Sequence, residues 1–364
     1  MKPVEAAQAQ AGPPPSLSQP VDWHLSVVVV NWNRKDLLRE CLTSLTLQRE
    51  RRFELILVDN GSTDGSAEMV EAEFLNPGRL RGRILRNERN EGFCRANNQG
   101  ITASRSRFVA LINNDAVADA GWLEQLLAAF DDDTVGMAAS KILVYEDPRR
   151  IDKVGHLIYW DGQNRGRGSG ELDHGQYDQV EEVAWPDGCA AMYRREMLDR
   201  VGGFDEDFFA YADDADLGLR GRIAGFRCLY MPRAVVFHRR GATLGTGSRR
   251  RLELIERNRV LLAAKLLPWR ILWLNPVFYA LRLIAGVIAA FRGRGEMSRY
   301  PGWRGKAVMA LALLRGDWQA LWLLPRMLAK RKEIHRFRKL TSAEVLGLLR
   351  RYQIPLRTLT EQAI

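Results

Sequence analysis

Between Gly202 and Phe226 the chain reads GGFDEDFFAYADDADLGLRGRIAGF. Six acids, Asp205, Glu206, Asp207, Asp213, Asp214 and Asp216, are set among Phe204, Phe208, Phe209 and Tyr211. An aromatic wall desolvates a carboxylate and raises its pKa, which suits it to act as a general base near neutral pH. Apolar spacing at Leu217, Leu219, Ile223 and Phe226 predicts a helix with Asp213, Asp214 and Asp216 in its first turn. Acids there also cap free N–H groups and offset the helix dipole. Three in four positions exceed what capping needs, and they repel one another unless a proton or a cation is shared. The chemistry expected is therefore proton abstraction by a carboxylate.

The elements that position this cluster read as an α/β fold. Leu25–Asn31 (LSVVVVN) and Phe53–Asp59 (FELILVD) are continuous apolar runs, the mark of strands covered on both faces. A helix with Leu37, Leu38, Cys41, Leu42 and Leu45 on one stripe lies between them. A helix through Met69 and Val70, a short strand near Ile84, a helix over about 93–102 and a strand over 108–113 follow. Alternation of this kind predicts a mostly parallel sheet with flanking helices, and ligands in such sheets bind beyond the carboxyl ends of the strands. Asn31 and Asn33, Asp59 and Asn60, and Asn113, Asn114 and Asp115 fall at those ends. Singly, each could be a turn or a helix cap. No GxGxxG and no phosphate-binding P-loop follows the first strand, which removes support for dinucleotide binding. The stretch 140–182 is less regular, and its Gly and Arg content around 164–170 predicts a mobile loop. Strands are expected over 189–193, 226–230 and 234–237, the last ending at His238.

Charge divides the chain. Net charge is +10, yet from Arg239 to Lys339 there are 23 Lys and Arg against five acids, so the remainder is acidic. Such a balance predicts an anionic partner for the basic part, nucleic acid or anionic lipid. The segment 272–291 carries one charge, Arg282, and is interrupted by Asn275 and Pro276. A single crossing would put the basic residues that follow on the far side of the membrane from the catalytic part, against the positive-inside rule. Helices lying in the membrane surface, with Trp269, Trp273, Trp303, Trp318 and Trp322 at the interface, are preferred. The alternative is a helical appendage packed on the catalytic domain. The organisation expected is a disordered tail over 1–22, a catalytic domain over 23–248 and a basic amphipathic helical region over 249–364. The four cysteines form no CxxC pair, which fits reduced thiols and offers no zinc spacing.

Taken together, VVVVNWN (27–33), LVDNGSTDGS (57–66), NEGFCRANNQGI (90–101), LINNDAVADAGWL (111–123), the acidic segment and YMPRAVVFH (230–238) resemble the glycosyltransferase family 2 enzymes of GT-A fold, in the family's order over about 25–240. The nearest likeness is to bacterial rhamnosyltransferase-like members that build cell-surface polysaccharide. The resemblance implies inverting transfer from a nucleotide-diphosphate sugar, with Asp214 as general base and Asp213 and Asp216 beside it. It implies a donor side formed by Asn31, Asn33, Asp59, Asn60, Asn98, Asn113 and Asn114, with Asp59 at the base. Trp185 and Asp187 would face the acceptor, a lipid-linked or polysaccharide chain. Asp115 and His238 would bind Mg2+ or Mn2+. Asp213 stands where Glu is usual, and the metal triplet has one carboxylate instead of two. An anionic membrane surface is the expected partner of the tail, at the cytoplasmic face of the inner membrane. Two rivals remain open at this point. A sugar nucleotidyltransferase would need a Gly-rich basic loop where Asn31-Trp32-Asn33 stands. A nucleic-acid-binding protein using the basic tail leaves the acid cluster unexplained.

Overall fold

The computed structural model describes residues 24–239, 248–295 and 302–361. The tail expected over 1–22 lies outside them. Strands are β1 (Leu25–Asn31), β2 (Phe53–Asp59), β3 (Gly82–Arg86), β4 (Phe108–Ile112), β5 (Ala116–Ala118), β6 (Val135–Val144), β7 (Ile151–Lys153), β8 (His156–Ile158), β9 (Asn164–Gly166), β10 (Glu181–Glu182), β11 (Ala190–Arg194) and β12 (Arg227–His238). Helices are α1 (Lys35–Thr46), α2 (Ser66–Val70), α3 (Phe93–Ala103), α4 (Trp122–Leu127), α5 (Arg195–Val201), α6 (Asp213–Ile223), α7 (Arg249–Leu266), α8 (Trp269–Phe291), α9 (Gly302–Ile334), α10 (Ser342–Arg351) and α11 (Leu356–Glu361).

One sheet runs in the order β3-β2-β1-β4-β11-β6-β12-β10. β3, β2, β1 and β4 are parallel, with Asn31 level with Asp59 in the β1–β2 register. β11 is antiparallel to both of its neighbours. The apolar runs are explained by cover on both faces. In β1, Val28 joins the core beneath α3 and α6, while Leu25, Val27 and Val29 join the core beneath α1 and α4. The two strands expected at 226–230 and 234–237 are one strand, β12, with a register shift between Met231 and Val235 around Pro232. A missing N–H at proline is accommodated at such an irregularity.

Two expectations change here. The segment around 164–170 is not a loop throughout: Asn164–Gly166 pairs with His156–Ile158 as a hairpin. The boundary expected at 248 is no break in packing. Leu261, Leu262, Ala263 and Leu266 of α7 are buried in the same core as Trp185, Leu217 and Tyr193. The C-terminal segment returns to the hairpin, with Ile354 N donating to Ile158 O and Ile158 N to Tyr352 O.

Buried charge fixes the appendage. Lys265 of α7 bonds Asp205 (2.7 Å) and Asp216 (2.6 Å), and Lys330 of α9 reaches Asp205 and Asp207. Arg282, the one charge in 272–291, points inward to Asp161 (2.6 Å) and Glu256 (2.8 Å). With Arg282 turned inward, α8 beyond the exposed Arg270 leaves an apolar face outside, and Trp273 is 80% and Trp322 of α9 73% exposed. Trp269, Trp303 and Trp318 are exposed as well. By length and composition α8 and α9 are both long and apolar enough to cross a membrane.

Candidate active site

A cavity of about 340 Å³ lies beyond the ends of β4 and β11, against the start of α6. Asn113, Lys153, His156, Asp187, Asp213 and Asp214 line it. α6 reaches this place because Gly218 lets the helix lie on Trp185. A Cβ on Gly218 would sit 2.1 Å from that of Trp185. The turn before α6 is held in an uncommon backbone shape, with φ of 63° at Phe209, 70° at Tyr211 and 57° at Ala212. Asn258 of α7, with zero exposure, restrains it: its amide Nδ2 is 3.0 Å from Phe208 O and 2.7 Å from both Ala210 O and Tyr211 O. Arg257 donates to Asp207 O (3.0 Å) and Phe208 O (2.8 Å).

The six acids of the motif therefore divide. Asp213 and Asp214 face the cavity. Asp205, Asp207 and Asp216 hold α7 and α9, the exposed Glu206 accepts from Asn98 Nδ2 (3.4 Å), and Asp216, fully buried, is also bonded by Arg220 at 2.7 Å. Asp216 is thus a structural ion-pair partner and leaves the catalytic set. Burial, then the charge of Asp214 beside it, push the Asp213 carboxyl well above the usual range. Asp214 Oδ2 stands 3.2 Å from His156 Nε2 and accepts from Gly188 N at 3.4 Å. The same His156 nitrogen is 2.9 Å from Asp187, which also bonds Lys153 at 2.6 Å. Burial alone would lower the His156 imidazole, but Asp214 and Asp187 raise it to about 9. Burial would raise Asp187, yet Lys153 and His156 hold it well below the usual carboxylate range. The cavity wall is a row of alternating charges: Lys153, Asp187, His156, Asp214.

A second pair lies under the sheet ends. Asp115 Oδ1 is buried and has no hydrogen-bond partner among the described residues; His238 Nε2 is 3.5 Å away. The other ring nitrogen of His238 is 2.6 Å from Asp152. Carboxylate, imidazole and an open carboxylate oxygen in that order match the outer and inner shells of a metal site. His156, Asp187 and Asp214 also offer ligand atoms within 4.8 Å of one another. There, however, Lys153 already balances Asp187, and His156 Nδ1 has no partner among the described residues. The Asp115–His238 pair is the better fit to a divalent cation. Asp59 Oδ1, at the end of β2, is likewise buried without a hydrogen bond among the described residues. A buried acceptor left open at a strand end is suited to a ligand N–H.

The remaining expected site residues serve as braces. Asn114 Nδ2 donates to Asn31 Oδ1 (2.6 Å), and Asn31 Nδ2 to Ser62 Oγ (3.3 Å). Asn33 Oδ1 accepts from Thr63 N, and Asn60 Oδ1 from Asn87 Nδ2 and Glu91 N. Asn98 clamps Phe204 through its N–H and C=O, both at 2.8 Å, and does not line the cavity. Trp185 is fully buried and stacks on His156, 5.6 Å between centroids, so it does not offer an acceptor surface. Its contribution is to orient the imidazole. Sequence reasoning missed Lys153, His156, Arg257 and Asn258. The available signals were charge in the apolar stretch Ile151–Ile158 and the unbroken polar run Glu256–Arg259 just before the apolar run Val260–Ala264.

A parallel sheet with acids at its strand ends, crossed by an antiparallel strand and faced by an acid pair opening a helix, defines a glycosyltransferase domain of GT-A fold. The mannosyltransferase PcManGT of Pyrobaculum calidifontis, solved with GDP-Man and Mn2+, superposes with a TM-score of 0.52 at 18% identity, over 84% of this chain and 91% of that one. Residues 26–202, just under half of the chain, match the model for glycosyl transferase family 2. The chain is 32% identical over 238 residues to the pre-mycofactocin glycosyltransferase of Mycobacterium tuberculosis, covering 65% of this chain and 46% of the relative. It therefore spans less than half of that relative's length. To the N-acetylglucosaminyl-diphospho-decaprenol L-rhamnosyltransferase of the same organism it is 28% identical over 243 residues, covering 61% of this chain and 78% of the relative. The matched family region ends at residue 202, before Asp213, whereas the alignments to the two mycobacterial relatives are too long to end before that residue.

Proposed function

We propose that the protein transfers a sugar from a nucleotide-diphosphate sugar to an acceptor hydroxyl with inversion at the anomeric carbon. The observation that carries the reading is the half-buried Asp214 carboxylate, lining the cavity at the start of α6 opposite the polar ends of the parallel strands. Asp214 takes the proton of the acceptor hydroxyl as that oxygen attacks the anomeric carbon and the diphosphate departs. One base opposite one leaving group gives in-line displacement, and no covalent intermediate is needed. Burial and the adjacent Asp214 charge push the Asp213 carboxyl well above the usual range, which disfavours a second negative charge there and makes Asp214 the assigned base. His156 and Asp187 fix the direction of the Asp214 carboxylate. Asp59 receives an N–H of the nucleotide base. Asp115 and His238 would hold a divalent cation, which when bound neutralises charge on the diphosphate. The manganese in the mannosyltransferase complex supports the use of a divalent cation.

The relative named as a decaprenol-linked L-rhamnosyltransferase supports a rhamnosyl donor and a lipid-linked acceptor. The exposed tryptophans of α8 and α9 support residence on the cytoplasmic face of the inner membrane. The test is a panel of nucleotide sugars offered at equal concentration, with membrane extract as acceptor. Rhamnose transfer should dominate. Preferred transfer of another sugar removes the donor assignment, and no transfer or hydrolysis of any donor removes the enzymatic reading. Asp214→Asn should abolish transfer while donor binding stays within a few-fold; an equal loss of binding would make Asp214 a donor ligand.

A further inference from the structure

A second cavity, of about 430 Å³, adjoins the first. Most of its wall is apolar side chains of three helices, Leu252 and Ile255 from α7, Leu283 and Val287 from α8, Met309 and Leu313 from α9; Lys306 and the paired Glu256 and Arg282 also line it. The volume is that of a small-molecule site. Gln163, Arg165, Arg251 and Ile255 line both cavities, so two arginines stand where the apolar groove meets the chamber holding Asp213 and Asp214. The Arg251 guanidinium lies over the Tyr211 ring at 5.9 Å, beside the acid-bearing turn. Val287 and Leu314 also line the groove and are 43% and 67% exposed. They belong to the apolar outer face that carries Trp273 and Trp322. The order of environments is thus exposed apolar surface, apolar groove, two arginines, carboxylate pair.

A nucleotide sugar has no group suited to hydrocarbon walls. A bilayer phospholipid would keep its headgroup at the membrane surface, whereas these arginines are at the end of the groove that meets the catalytic chamber. Resting on the transferase reading above, we propose that the groove holds the hydrocarbon tail of a phosphate- or diphosphate-linked lipid acceptor. Arg165 and Arg251 receive its phosphates, and the sugar beyond them presents its hydroxyl to Asp214. Charged donors in a partly buried collar suit phosphate oxygens. The tail enters sideways from the membrane.

Gly286 of α8 lines the groove, and a Cβ built there meets nothing within 4 Å, so a side chain at this position enters open space. Gly347 of α10 is equally open and is absent from the groove lining, which makes it the control. The experiment is equilibrium binding of tritiated farnesyl diphosphate to the full chain in detergent solution. Gly286→Leu and Arg251→Gln should each weaken binding at least tenfold, Gly347→Leu less than twofold, and inorganic diphosphate should fail to displace the probe. Parent-like binding by a Gly286→Leu protein that melts like the parent overturns the proposal. So does displacement by equimolar inorganic diphosphate, which marks an anion site without a tail, or by phosphatidylglycerol vesicles, which marks a phospholipid site. Nucleotide-sugar binding is measured in parallel. A parent that binds nucleotide sugar but no farnesyl diphosphate loses the groove alone; one that binds farnesyl diphosphate but no nucleotide sugar retains a lipid groove and loses the transferase reading.

Discussion

Removing the Asn258 amide tests whether α7 belongs to the catalytic apparatus. Its nitrogen carries two hydrogens and faces three carbonyls, so it satisfies two at a time. Phe208 O keeps the Arg257 donor in an Asn258→Ala variant, whereas Ala210 O and Tyr211 O lose theirs. An unsatisfied buried carbonyl costs about 1–3 kcal/mol. Ala210 and Tyr211 are half-buried, so water offsets part of this and about 2 kcal/mol in total is expected. Against that stands the strain of three left-handed residues, Phe209, Tyr211 and Ala212, at roughly 1 kcal/mol or more each. The two quantities are of the same size. Without the clamp, relaxation of the turn is favourable, and Asp213 and Asp214 follow it directly in sequence.

The expected outcome is a split. Donor binding should stay within a few-fold, because Asp59 and Asp115 are on the strand ends and not on this turn. kcat should fall on the order of 10²-fold, the usual consequence of displacing a base by about an ångström. The melting temperature should fall by roughly 3 °C for about 2 kcal/mol in a folded unit of this size. Asn258→Ser, which keeps one donor, should be intermediate in all three. A variant that melts earlier but retains kcat within twofold would refute the positioning argument and leave Asn258 a structural residue.

Asp115→Ala should weaken donor binding and flatten the response of activity to added Mg2+ or Mn2+; an unchanged metal titration would remove the cation from this pair. His156, raised to about 9, contributes stability that is complete below its unfolded value near 6.5 and is lost as pH rises through about 9. The contribution is at most about 3 kcal/mol, so urea unfolding at pH 6 and pH 10 should differ less in His156→Asn than in the parent, and equal differences would refute it. The full chain should co-sediment with anionic vesicles, more weakly in high salt but not abolished, and replacing Trp273, Trp303, Trp318 and Trp322 by Ser should release it; parent protein that ignores vesicles at low salt would leave α8 and α9 a packed appendage.

The sheet was legible because burial on both faces writes itself as long apolar runs, and β1 and β2 begin and end where those runs do. The acid pair was legible because acids crowded among aromatics have few inexpensive explanations. Asp216 was misplaced because its partners, Arg220 and Lys265, are four and 49 residues away. A helix start looks the same whether its acids face a cavity or a lysine. Trp185 was misplaced because spacing does not tell a wall that substrate touches from a wall that a histidine touches. Lys153 and His156 sit on strands of three residues, too short for any period to emerge. The long polar run Glu256–Arg259 breaks helical amphipathicity, since Glu256, Arg257, Asn258 and Arg259 are all buried.

The charge imbalance takes on a different meaning once these partners are known. Read alone, a basic C-terminal region beside an acidic catalytic part suggests an external polyanion. Lys265, Lys330 and Arg326 instead neutralise Asp205, Asp207 and Asp216, while Arg259 and Arg282 neutralise Glu256 and Asp161. A buried carboxylate stripped of its partner is strongly destabilising, by about 3–5 kcal/mol. The acidic motif can therefore exist at this density only because the helices beyond it supply the cations. Of the motif's acids, Asp213, Asp214 and the exposed Glu206 have no such partner from α7 or α9 among the described residues, and of these Asp213 and Asp214 face the cavity. Deleting the basic region would consequently leave no intact catalytic domain behind, and membrane attachment must be tested by surface substitutions that leave α7 in place.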